Sequence, residues 1–77
     1  MVPQQNQQHA PTILRRKAVE AKTGLSRTTI YDMMRAGTFP IPISLGSNSV
    51  GWLEHEVTEW LNTRVAERNR LRKTRRA

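Results

Sequence analysis

The chain has 77 residues and no cysteine, with 13 Lys and Arg against six Asp and Glu, for a formal net charge of +7. That length suits one domain, and folded chains near this size bury only about 60% of the surface exposed when unfolded, so a few aromatic residues must carry the core. The missing cysteine excludes disulfide staples, thiolate nucleophiles and zinc-finger ligand sets, and no apolar run approaches the roughly 18 residues that cross a bilayer.

Residues 1–11, MVPQQNQQHAP, hold few large apolar groups and are expected to form a flexible N-terminal tail. They also lack the charged-then-apolar layout of a secretory signal, so a cytoplasmic protein is expected. A folded domain should cover 12–68 and a basic C-terminal tail 69–77. Ile13, Leu14 and Arg15 can form a minimal strand leading into a helix from about Arg16 to Thr23, where Ala18, Val19 and Lys22 recur at helical spacing. Gly24 stops that helix, because glycine adopts the left-handed backbone that follows a last turn. Ser26 is suited to cap the free amides of a second helix starting at Arg27. That helix should run to Gly37, and Pro40 and Pro42 forbid its continuation.

Between Pro42 and Leu53 the pattern changes to extended pieces. Ile43 and Leu45 alternate around Ser44, Gly46 to Ser49 form a polar turn, and Val50-Gly51-Trp52-Leu53 follows. This predicts a β-hairpin with a turn longer than two residues. A last helix should begin near Glu54, with Glu54 and Glu56 at the positive end of its dipole and Val57, Trp60, Leu61 and Val65 forming an apolar stripe. It is expected to fray out somewhere between Arg68 and Lys73. Phe39, Trp52, Trp60 and Tyr31 are the large candidate core fillers.

The arrangement helix, Gly24-Leu25-Ser26, helix fits the turn of a DNA-binding helix-turn-helix, with Val19, Leu25, Ile30 and Met33 placed to fill the wedge, although such a corner also occurs in many small helical proteins. If Ile30 faces inward, the helical period turns Arg27, Thr28, Tyr31 and Arg35 outward. Arginine can donate a bidentate pair to guanine, and threonine can touch a thymine methyl or a phosphate. Ser26, Arg27, Thr28, Tyr31 and Arg35 are therefore the candidate reading head. The plainer alternatives are that Tyr31 packs over the hairpin and that Arg35 is a solvated helix-end cation. Asp32 is expected to pair with Arg35.

Charge location adds to this. Arg64, Arg68, Arg70, Arg72, Lys73, Arg75 and Arg76 stand against Glu67 alone, a net +6 that leaves +1 for the other 63 residues. Such a segment grips phosphates without reading sequence, and its plainer alternative is a tail kept for solubility. A basic RNA-binding protein remains a rival, although the deep, narrow major groove of an RNA duplex does not admit a helix of this kind. A membrane-active helix is opposed by Glu54, Glu56 and Glu59. No catalytic constellation is present: His9 lies in the N-terminal tail, and His55 has only glutamates near it. No enzyme activity, metal, cofactor, small-molecule ligand or membrane partner is expected.

The stretch LRRKAVEAKTGLSRTTIYDMMRAGTFPIPISLGSNSVGWLEHEVTEWLNTRV resembles the AlpA family of prophage regulatory proteins, a branch of the MerR-like winged helix-turn-helix proteins that includes phage excisionases. The landmarks are TGLSRTTIY, FPIPISLG, VGW and EHEVTEWL, and they cover about two-thirds of the chain in order. The resemblance implies a mainly α fold of three helices plus a small β-hairpin wing, in a phage- or bacterium-encoded, nucleoid-associated protein. It implies double-stranded DNA as partner, at a promoter for a transcriptional regulator or at an attachment site for an excisionase that bends DNA. Integrase or further copies of the chain are possible companions. Carried over by position, Ser26, Arg27, Thr28, Tyr31 and Arg35 match the family's recognition helix and Gly46 to Ser49 its wing turn. Asn48 stands where many relatives carry a cation, so hydrogen bonds from Ser47, Asn48 and Ser49 to phosphate are expected in place of a charged insertion.

Overall fold

A computed structural model describes residues 11–76, with side chains as far as Arg72; the expectation of a flexible segment over 1–11 therefore lies, Pro11 apart, outside the described residues. The elements follow in the order β1 (Ile13–Leu14), α1 (Arg16–Thr23), α2 (Arg27–Ala36), β2 (Ile43–Gly46), β3 (Ser49–Leu53) and α3 (Glu54–Arg76). Three helices and one small antiparallel sheet make a winged helix-turn-helix, as the residue pattern predicts. Among the described residues no helix is long and apolar enough to cross a membrane.

Local chemistry sets each boundary. Gly24 ends α1 in the left-handed region at φ 77°, and its N–H donates to the Glu20 carbonyl at 2.7 Å. Thr23 Oγ1 donates to the Val19 carbonyl at 2.8 Å and accepts from the Leu25 N–H at 3.2 Å, which fixes the corner before α2 begins. Gly37 closes α2 at φ 79°, and the Thr38 N–H returns to the Met33 carbonyl at 2.9 Å. That double closure satisfies the last carbonyls of the helix and turns the chain toward the sheet.

The core is five buried apolar side chains, Val19, Ile30, Phe39, Trp52 and Val57, one each from α1, α2, the linker after α2, β3 and α3. Burial of an aliphatic side chain of this kind contributes about 1.5–3 kcal/mol. Leu25 and Met33 pack half-buried against this cluster, as expected for the wedge between α1 and α2. Trp52 is wholly buried, and its indole N–H donates to the Pro40 carbonyl at 3.0 Å. Trp60 is only half-buried, stacked edge-on to Phe39 at 4.9 Å between centroids, and donates to the Thr38 carbonyl at 2.7 Å. The two indoles thus hold the irregular 38–40 linker by its carbonyls, where no ladder is available to satisfy them. Trp60 belongs to the rim of the core.

The sheet order is β1-β3-β2, with β1 antiparallel to β3 through Ile13↔Leu53 and Leu14↔Trp52. Glu54 N–H donates to the Thr12 carbonyl at 2.8 Å, so the start of α3 is tied to the start of the domain. A Cβ added to Gly51 would collide with the Ile13 side chain and come within 3.1 Å of Leu45 Cδ1, because β1 and β2 close over the central strand there.

Two expectations need correction. The hairpin turn is not long: Gly46 pairs with Ser49, so only Ser47 and Asn48 form the loop, and the ladder shifts register between Ser44 and Gly46. Asn48 takes φ 60°, a left-handed conformation that asparagine tolerates, so the tight turn forms without glycine in its loop. Nor does α3 end between Arg68 and Lys73; it is helical to Arg76. Ala, Glu, Leu, Lys and Arg are good helix formers, cations suit a helix C-terminus, and Glu67 braces Arg70 one turn on at 2.5 Å.

Candidate nucleic-acid interface

Helix α2 begins with an N-cap built as its sequence implies. Ser26 Oγ accepts from the Thr29 N–H at 3.2 Å and donates its own hydrogen to Thr29 Oγ1 at 3.0 Å. Ser26 is exposed, but its hydrogen is committed within the cap, so it acts first by fixing the direction of α2. From that start the helical period separates two faces. Ile30 is fully buried, while Arg27, Thr28, Asp32 and Arg35 are exposed and Tyr31 lies half-buried at the boundary.

The outward residues form one shallow groove lined by Arg27, Thr28, Tyr31, Asp32 and Arg35. Arg35 donates to Asp32, the intramolecular pair expected from their spacing. The Arg27 guanidinium lies 5.9 Å from the Tyr31 ring centroid, within range of a cation–π attraction. Tyr31 in turn meets Trp52 edge-on, with centroids 6.4 Å apart and planes inclined at 70°. Tyr31 therefore packs edge-to-face with the core indole while its ring also lines the groove on the exposed face of α2.

A second groove begins on the other side of Tyr31. It is lined by Arg15, Arg16, Lys17, Tyr31, Asn48 and Val50, and so joins the start of α1, the middle of α2 and the tip of the hairpin. Ser47 and Asn48 are exposed at that tip, and Ser49 is half-buried at the first position of β3.

Residues 12–65 match the family model described as prophage CP4-57 regulatory protein (AlpA). The chain belongs to the AlpA family. It is similar to the DNA-binding transcriptional activator AlpA of Escherichia coli (strain K12), with 46% identity over 65 residues, 77% of this chain and 93% of that protein. It is also 53% identical over 47 residues to the uncharacterized protein ORF88 of Enterobacteria phage P4, across 61% of this chain and 53% of that protein. The chain thus spans about half of the phage protein but nearly all of the bacterial one.

The AlpA match encloses α2, the wing and both grooves, and of the seven C-terminal cations it includes only Arg64. Those cations sit on the outer part of α3 in this AlpA-family chain. Beyond Leu61 every residue to Arg72 is exposed except Glu67, so the helix leaves the core and continues into solvent. Arg64 stacks over the Trp60 ring at 5.8 Å, and Arg68 donates to Asn69 at 2.9 Å. The hydrogen bonds and charge of Arg70 hold the Glu67 carboxyl below its ordinary range, with Arg64 adding to the effect, and the same pairing raises the Arg70 guanidinium. Arg72 is exposed, and Lys73, Arg75 and Arg76 occupy the last turns.

Arg15 and Lys17 were not among the residues singled out from sequence. Both are exposed, and neither has an acidic partner among the described residues, whereas Arg16 is paired with Glu20 at 2.5 Å. A signal did exist: three consecutive cations open α1, with no acidic residue in its first turn and no side-chain cap from Arg15. Cations at the positive end of a helix each cost roughly 0.3–1 kcal/mol, so the run opposes local stability.

Proposed function

We propose that this AlpA-family chain is a sequence-specific double-stranded DNA-binding regulator of a phage, prophage or integrative element, working in the cytoplasm. The observation that carries the reading is the division of α2, where Ile30 is sealed in the core while Arg27, Thr28 and Arg35 stand clear of it on a capped helix after a three-residue corner. In such a fold the second helix enters the major groove with its first turn nearest the bases. Arg27 then donates to guanine, Thr28 meets a thymine methyl or a phosphate, and Tyr31 keeps the Arg27 guanidinium close to its ring before DNA arrives. Ser47, Asn48 and Ser49 donate to phosphate from the wing, and Arg64, Arg68, Arg70, Arg72, Lys73, Arg75 and Arg76 add attraction that does not depend on sequence.

Transcriptional regulation is preferred to excision because the relative that this chain spans almost completely carries the name of a transcriptional activator. The test is fluorescence anisotropy with a duplex selected by the native chain from a randomised pool and with its scrambled counterpart. Arg27→Ala should weaken the selected duplex about tenfold or more and the scrambled one little, since a good bidentate base contact discriminates by about 1–3 kcal/mol. Equal losses on both duplexes would remove Arg27 from the reading head.

A further inference from the structure

We infer that the groove between α1, α2 and the wing is a phosphate clamp: Arg15 and Lys17, with Asn48 across from them, seat one backbone phosphate of the duplex and so set the depth and register of α2. The inference rests on the DNA-binding reading above and extends it to Arg15 and Lys17, which lie outside the recognition helix, the wing turn and the basic end of α3.

The lining chemistry selects the ligand class. Arg15 and Lys17 have no acidic partner among the described residues, and Glu20, one turn on in the same helix, is taken by Arg16. The Tyr31 hydroxyl also has no hydrogen-bond partner among them. With Asn48 at the rim and Val50 completing the lining, the groove offers donors and positive charge and no unpaired carboxylate. Such a surface takes an anion with several acceptor oxygens, and a phosphate meets that description.

Position then selects which phosphate. Tyr31 is shared by this groove and by the one holding Arg27, Thr28 and Arg35. A duplex whose base edges meet the groove of Arg27, Thr28 and Arg35 brings its flanking backbone to the groove of Arg15 and Lys17. Three linked features support the assignment. The run of Arg15, Arg16 and Lys17 opposes the dipole of its own helix, a cost that a bound anion relieves. The start of α1 is held rigidly, since β1 pairs with β3 immediately before it and the Glu54 N–H bonds to Thr12. The wing tip is held equally firmly by a two-residue turn with Asn48 left-handed.

The experiment uses the full chain and the double variant Arg15→Gln with Lys17→Gln, with Arg16 left in place. Both positions are exposed, so circular dichroism should be unchanged, and loss of two cations from the positive end of α1 should leave the thermal midpoint level or raise it; Arg15→Ala with Lys17→Ala serves as a second variant. On an arbitrary 20-base-pair duplex the slope of log affinity against log salt should fall by about 0.9, the value for one phosphate. A scan of single methylphosphonates through the selected duplex should find a position that weakens the native chain about tenfold and leaves the double variant unaffected, as loss of one charge-assisted contact requires. An unchanged slope, or a penalty at every position equal in both proteins, overturns the clamp. If no sequence is enriched from the pool, sequence reading fails while the slope still decides the clamp; if the native chain binds no duplex, both fail.

Discussion

Ser26 shows how much of this protein is set by single side chains. Its hydroxyl satisfies one of the orphan amides that open α2, and every outward position on that helix inherits its direction from the cap. Ser26→Ala should lower stability by about 1 kcal/mol, read as a smaller urea midpoint with an unchanged slope, and Ser26→Asp should restore most of it. An unaltered midpoint in the alanine variant would show that the cap is not what secures α2. Other features at this scale are equally readable from neighbours in sequence. The stops at Gly24 and Gly37 and the pairing of Asp32 with Arg35 depend on residues no more than four apart, so spacing alone predicts them. Tyr31 is different. Its contact with Trp52 spans two elements, and a helical wheel places the ring at a boundary without choosing a side.

At the scale of elements, the two corrections share a cause: a segment's length is decided by what pairs with it. Gly46 and Ser49 read as loop residues from their composition, yet they join the ladder because β3 is already fixed from its other side by β1. The last turns of α3 read as a basic tail beyond the helix, yet helix-forming residues and the brace between Glu67 and Arg70 carry the helix to Arg76. The consequence is functional. A helix of 23 residues is about 34 Å long at the usual rise, so its cations are carried on a rod that projects well past Leu61. Deleting residues 70–77 removes Arg70, Arg72, Lys73, Arg75 and Arg76 and should weaken selected and scrambled duplexes alike while flattening the salt dependence. Loss confined to the selected duplex would mean that this end of α3 reads sequence after all.

Across the whole molecule, a small core organises three surfaces. Five buried side chains lock α1, α2, the 38–40 linker, β3 and α3 to one another, and the indole N–H groups of Trp52 and Trp60 tie the linker between them. This fixes the corner, the wing and the cationic rod as parts of one frame. The fold class was legible because each element carries its own local signal, and so was the outward face of α2, because burying Ile30 leaves the helix no other orientation. The groove of Arg15, Lys17 and Asn48 was not legible, since its walls lie more than 30 residues apart and meet only once β1 pairs with β3 and the hairpin folds back. The account stands on α2 entering the major groove, and methylation interference examines that contact directly. Methylation of guanine N7, which projects into the major groove, should abolish binding at one or two positions of the selected duplex in the native chain and lose its effect there in Arg27→Ala. Interference only from adenine N3 methylation, in the minor groove, would contradict it.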